Sequence, residues 1–258
     1  MYGGSMASII LPTFEWTRSC AQLARQLEPE DELLVVCDHE DDPVASAELP
    51  ENAELLVAGE PEGCSGKANA VALALEHASQ DRIVLTDDDV DRTNWVTWGG
   101  GVTFDRREID LEGYVGDLRR TVSDDALLAE YTDEVVASRE IVNKVYVPGG
   151  PRVTYERITR FATIFYRFAP RRTLAILGLF LAVAAAGILA PLLVAFGVTY
   201  IARDRYRSLG VDRRTWVFAV PSLLLAPFFV LAGIVRPTFV WGGRRYHWPD
   251  TFDVTVVD

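Results

Sequence analysis

A chain of 258 residues with 37 acidic and 25 basic side chains, net charge −12, holds one substantial domain and something smaller. Residues 1–160 carry 32 acidic and 14 basic side chains, a net of −18, whereas residues 161–258 carry 5 and 11, a net of +6. The first stretch lacks the Lys/Arg density that phosphate backbones demand, which excludes nucleic acid as its partner. Lysine occurs only at Lys67 and Lys144 against 23 arginines, the composition of a halophilic protein kept soluble in concentrated salt. Cys20, Cys37 and Cys64 are odd in number, lack Cys-x-x-Cys spacing and follow no secretory signal. A reducing compartment is expected, and a single His39 or His77 makes no zinc site with them.

In chain order, ASIILPTF (7–14) is a β-run ending in proline, and TRSCAQLARQL (17–27) has helical spacing with Thr17 as its N-cap. DELLVVCD (31–38) reads as a buried strand ending in an acid, and ENAELLVAGE (51–60) as a third strand. SGKANAVALALEHAS (65–79) is helical, and DRIVLTDDD (81–89) is a fourth strand. This alternation implies βαβ units, hence an α/β domain with a mostly parallel sheet. Ligands of such sheets bind at the carboxyl ends of the strands, where Asp38 and the Asp87-Asp88-Asp89 triplet fall.

GEPEGCSGKA (59–68) imitates a phosphate loop but has Pro61 where its first glycine belongs and Ala68 where the magnesium-binding hydroxyl belongs. It is no P-loop. Its Gly66-Lys67 pair still opens a helix, and either caps that helix or holds an anion. In an extended chain Asp87 and Asp89 alternate away from Asp88, so the two can share a hard cation such as Mg2+ or Mn2+ with substrate phosphates. The other reading is an acidic turn in an acidic protein. In SDDALLAEY (123–131) Ser123 caps a helix whose first turn holds Asp124 and Asp125, which either complement the helix dipole or supply a general base.

Beyond residue 153 the character changes. VTYERITRFATIFYRFAPRR places Ile158, Phe161, Ala162, Phe165 and Phe168 at helical spacing among Arg157, Arg160 and Arg167. Residues 154–172 therefore read as an amphipathic helix, docked on protein or lying on a membrane surface. Leu174–Ala202 contains 29 residues without a charge and Trp216–Val235 another 20, each enough to span a bilayer. Five arginines in 202–214 favour the cytoplasm, as do those preceding Leu174, so a hairpin turning near Pro191 is expected rather than one tilted span. The second segment then spans or re-enters. The expected organisation is a soluble domain at 1–153, two or three membrane segments within 173–236 and a cytoplasmic tail at 237–258.

SIILPTF, VVCDHEDDP, SGKANAVALAL, VLTDDDV, the SDD before a helix and RITRF occur in the order found in membrane-bound family-2 glycosyltransferases. The chain resembles most the branch containing ceramide glucosyltransferase, RITRF being similar to its Gln/Arg-x-x-Arg-Trp motif with Phe161 in the tryptophan position. The tail VWGGRRYHW resembles a Trp-Arg/Gly-rich stretch after the last membrane segment.

The resemblance implies a GT-A-like (Rossmann-like) fold on a multi-pass cell-membrane protein, with a cytoplasmic site taking a nucleotide-sugar donor and a lipid acceptor. Asp38 and Asp87 would contact the donor, Arg157 and Arg160 the donor diphosphate or the acceptor, Asp87 and Asp89 a metal, and Asp125, or else Asp124, would be the base of an inverting transfer; Lys67, at the glycine-rich turn, is the further donor-binding candidate. The sequence departs from the family between the aspartates and WGGGVTFDR (98–106), where eight residues (90–97) replace several dozen. A non-catalytic descendant that binds nucleotide or a partner is the competing expectation. A transporter is disfavoured, since neither apolar segment carries an acidic or basic residue for a substrate path.

Overall fold

A computed structural model of the chain describes residues 6–88, 101–133 and 150–257. Contacts divide it into two units, Met1–Pro148 with Val240–Asp258, and Gly149–Phe239.

The first unit runs β1 (Ala7–Pro12), α1 (Arg18–Ala24), β2 (Glu32–Cys37), β3 (Ala53–Val57), α2 (Gly66–His77), β4 (Arg82–Thr86), β5 (Gly101–Asp105), α3 (Leu111–Leu118) and α4 (Asp124–Leu128). The sheet order is β3-β2-β1-β4-β5. The first three pairings are parallel, as the alternation of strands and helices predicts. β5 pairs antiparallel with β4, Gly101 opposite Thr86, so the sheet is mixed but mostly parallel.

Strand β2 lies between two parallel neighbours and is apolar on both faces, the pattern of a sheet covered on both sides. Ile9, Leu11, Leu33, Val35 and Cys37 pack on one face with Cys20 and Leu23 of α1. Ile10, Leu34 and Val36 alternate away from them and are equally buried, and α2 packs against β1 and β2 through a side that includes Val71 and Leu75. Both caps named from the sequence form, the Thr17 and Ser123 hydroxyls accepting N–H bonds from Cys20 (3.3 Å) and Ala126 (3.3 Å), and Ser65 caps α2 in the same way, accepting from Ala68 N–H at 3.1 Å.

The segment expected to be a tail is instead part of this unit. β6 (Thr238–Trp241), β7 (Arg244–Asp250) and β8 (Asp253–Val256) form a three-stranded sheet in that order. Trp248 and Tyr246 are buried, and the Thr121 hydroxyl donates to the Thr251 carbonyl at 2.9 Å. Gly242 and Gly243 join β6 to β7 with φ of 56° and 80°, a two-residue turn that side chains rarely tolerate.

The second unit is helical: α5 (Pro151–Phe168), α6 (Pro170–Leu189), α7 (Pro191–Ser208), a 3-10 turn at Thr215–Phe218 and α8 (Ala219–Val235). Helices α5, α6 and α7 each start on proline, whose missing N–H costs nothing there. The residue before a proline is pushed out of the helical region. Ala169 and Ala190 accordingly sit at ψ 61° and 63°, and the long apolar run divides into two helices at the proline singled out in the sequence. A Cβ built on Gly187 would lie 3.7 Å from Val194 Cγ1. In a straight helix residues seven apart are about 10.5 Å apart along the axis, so the chain bends sharply at Ala190.

Helices α5 and α8 meet at Gly233. A Cβ there would lie 2.6 Å from both Ala162 Cβ and the Thr159 carbonyl, and the Thr163 hydroxyl donates to the Gly233 carbonyl at 2.8 Å. Two helical stretches, Pro170–Leu189 and Thr215–Val235, have mean hydropathy 2.1 and 2.3 and the length to cross a membrane.

Candidate functional site

Because β1, β2 and β4 are parallel, their carboxyl ends share one edge of the sheet, and Thr13, Asp38 and Asp87 each follow directly after one of those strands. Helix α2 begins beside that edge. Ser65 fixes its start twice over: its N–H donates to the Thr121 carbonyl at 3.1 Å and its hydroxyl to the Val122 carbonyl at 2.7 Å. These bonds tie the N-terminus of α2 to the segment leading into α4, and so bring Lys67 up to Asp124.

The Lys67 ammonium lies 2.7 Å from Asp87 Oδ1 and 3.2 Å from Asp124 Oδ2. The Asp124 side chain is only 3% exposed, and among the described residues its Oδ2 has no donor in hydrogen-bonding geometry, so its tie to the lysine is ionic rather than directional. Burial works against the lysine's charge, but Asp124, Asp87 and Asp125 together outweigh it and hold the ammonium protonated well above its usual range.

Asp125 stands at the surface beside this pair. Loss of hydration, then repulsion from Asp124, raises its carboxyl to about 6, with Lys67 opposing them and Asp87 adding to them. A carboxyl poised there can exchange a proton near neutral pH. Asp88 turns the other way, as alternation along an extended chain requires, and accepts from the Thr13 hydroxyl at 2.7 Å. The Thr17 hydroxyl donates to its carbonyl at 3.2 Å. Asp89 and the 90–97 connection lie outside the described residues.

Asp38 is placed at the expected strand end, in a setting the sequence did not suggest. Its carboxylate pairs with the Arg244 guanidinium, delivered by β7, and the same guanidinium reaches Glu60 at 2.9 Å. Glu60 also meets His39 Nε2 at 2.9 Å, and the Asp42 carboxylate accepts the N–H groups of Asp38 (3.0 Å) and His39 (2.9 Å). A Cβ on Gly66 would sit 3.2 Å from Arg244 Nη1 and 3.3 Å from Asp38 Oδ2, a tight fit that these side-chain ends would have to relieve by shifting. Its N–H donates to the Tyr246 hydroxyl at 3.3 Å. From the sequence, Arg244 and Tyr246 stand only within the stretch VWGGRRYHW with no partner assigned, and Thr13 and Thr17 (beyond its role as a cap) have no part in the site.

Lys67, Asp87, Asp124 and Asp125 are thus gathered together, with Asp38 on the other side of Gly66-Lys67. Arg157 and Arg160 belong to the second unit, on α5, where both guanidinium groups lie 5.7 Å from the centre of the Phe161 ring. Burial and then the neighbouring Arg157 lower the Arg160 pKa to about 10. Among the described residues no three His, Cys, Asp or Glu side chains converge to hold a metal. Of the two metal ligands expected from the sequence, Asp87 is paired with Lys67 at 2.7 Å and Asp89 lies outside the described residues. Compared with protein-family models, with curated proteins and with solved structures, the chain matches none.

Proposed function

We propose that this chain is a membrane-anchored glycosyltransferase that moves a sugar, with inversion, from a nucleotide-sugar donor to a lipid acceptor. The observation that carries the reading is the convergence of Asp87, Lys67, Asp124 and Asp125 at the carboxyl edge of a mostly parallel sheet. With the motif order of the sequence, this supports a GT-A-like domain. In the reaction the Asp125 carboxylate takes the proton of an acceptor hydroxyl, whose oxygen forms a bond to the anomeric carbon as the nucleoside diphosphate leaves. Lys67 holds Asp124 in an ion pair, and its charge would offset the negative charge gathering on a leaving diphosphate. Bound Mg2+ or Mn2+ at Asp87 and Asp89 would supply Lewis-acid neutralisation of that diphosphate.

The membrane part rests on the second unit. A soluble protein's core helix is mostly buried and a signal sequence lies near the N-terminus, whereas these two helices lie between residues 170 and 235 with 11% of each apolar window buried. Arg157 and Arg160 on α5 suit the phosphate or polar headgroup of a lipid acceptor or donor.

One observation favours a non-catalytic nucleotide- or partner-binding descendant: Asp38 and Asp87 are already balanced by Arg244 and Lys67. Incubating the full chain with radiolabelled nucleotide-sugars, Mn2+ and total lipid extract separates the two. Label entering the organic phase, and lost in Asp125→Asn, supports transfer; no transfer with any donor supports the descendant.

A further inference from the structure

We infer that α6 and α8 cross the bilayer as a pair, and that residues 191–214 lie on the face opposite the α/β unit. The inference rests on the membrane reading above but not on the glycosyltransferase one. The segments on either side of the helical unit, before Gly149 and after Phe239, fold into one unit. That joining is substantial: Arg244 pairs with Asp38, Tyr246 accepts from Gly66 and Trp248 is buried. A folded unit cannot stand on two sides of a membrane, so the chain leaves and returns through the same face and the number of crossings is even.

The lengths decide how many. α6 has 20 residues and the Thr215–Val235 stretch 21, or about 30 Å each at about 1.5 Å per residue, matching a hydrocarbon core of about 30 Å. The uncharged part of α7, residues 191–202, reaches only about 18 Å before Arg203, Asp204, Arg205 and Arg207. A hairpin of α6 and α7, the arrangement expected from the arginines alone, therefore fails on its second arm. It would also require α8 to begin and end on one face. α8 is one continuous helix, so it cannot turn back, and lying flat would need a polar face that AVPSLLLAPFFVLAGIV does not have.

The charges agree with two crossings. Six arginines in residues 150–172, together with Arg236, flank the bilayer on the side of the α/β unit, against five in 203–214. The Lys/Arg bias thus keeps the α/β unit cytoplasmic. On the far face Leu192, Leu193, Phe196 and Tyr200, all exposed, recur along α7 at a spacing that suits a helix lying in the distal interface.

Single cysteines test this in the full chain, expressed in cells and probed with a membrane-impermeant maleimide. Glu51→Cys reports the α/β unit, and Ser208→Cys and Asp212→Cys report the connection, all at exposed positions. The native cysteines are free and buried, so the parent chain gives the background. In inverted vesicles Glu51→Cys is expected to label at once and the other two only after detergent; in spheroplasts the pattern reverses. Labelling of all three from the same side, in protein that resists alkaline carbonate extraction, overturns the inference and leaves the membrane reading intact. Extraction of the protein by carbonate sinks the membrane reading, and this inference with it.

Discussion

Leu11 and Leu33 in the α/β unit are fully buried, while Leu189 and Leu192 in the helical unit, the same side chain, are 88% and 84% exposed. The first unit brings its apolar residues together in alternating layers and leaves its carboxylates at the sheet edge. The second turns most of its apolar residues outward; its buried residues are few, chiefly the small Thr159, Ala162, Thr163 and Gly233, with Ile164, Thr173, Leu177 and Pro227. Burying a leucine in water is worth about 1.5–3 kcal/mol; on the membrane reading proposed above that gain would be absent between helices solvated by lipid, and close packing and hydrogen bonds would hold them. One unit is held by burial around a charged site, and on the proposed membrane reading the other would be held by contacts between helices, closest where α5 meets α8 at Gly233.

Substitutions can break this contrast from either side. The largest effect is expected from Lys67→Met, which leaves Asp124 buried and uncompensated, at a cost of about 3–5 kcal/mol. Thermal unfolding of the full chain in detergent and high salt would show it, with Lys67→Arg retaining much of the loss. Next comes Gly233→Ala, whose new methyl must displace Ala162 or the Thr159 backbone. It should cost about 1–3 kcal/mol and loosen the helical unit alone, visible as faster hydrogen exchange in α5 and α8 with none in the sheet.

The pH response follows from Asp125. Its carboxyl titrates at about 6 in the folded chain, against about 3.9 when unfolded. Between those values the folded state holds a proton that the unfolded state has released, so stability falls as pH rises through that window. Because Asp125 is solvent-exposed, screening reduces the effect to about 1 kcal/mol or less. Asp125→Asn should lack this fall, giving a melting difference between pH 4 and pH 7 smaller than that of the parent. Thr163→Val, which loses the bond to Gly233, is expected to cost about 0.6 kcal/mol. The smallest effect belongs to Arg107→Ala, whose contacts with Asp105 and Asp81 are exposed, and whose melting point should not move.

What could be read in the sequence was local. ELLVVC announces a buried strand, and Thr17, Ser65 and Ser123 announce helix starts because their hydroxyls act within three residues. Pro191 marks a break for the same reason. The partner of Asp38 lies 206 residues away, and no periodicity reports a contact of that range. The sheet at the C-terminus was readable and missed: two runs of β-forming residues flank Gly242-Gly243, a strong hairpin signal in the stretch expected to be a tail. The reversal of β5 was not legible, since GVTFD suits either strand direction.

The most direct test of the proposed site is calorimetric titration of UDP, GDP and their sugar conjugates into the full chain in high salt, with and without Mn2+, beside Asp87→Asn and Asp89→Asn. Binding of one nucleotide that requires the metal and disappears in both variants is the predicted result. Absence of binding in every metal, from protein whose circular dichroism shows both units folded, would contradict it.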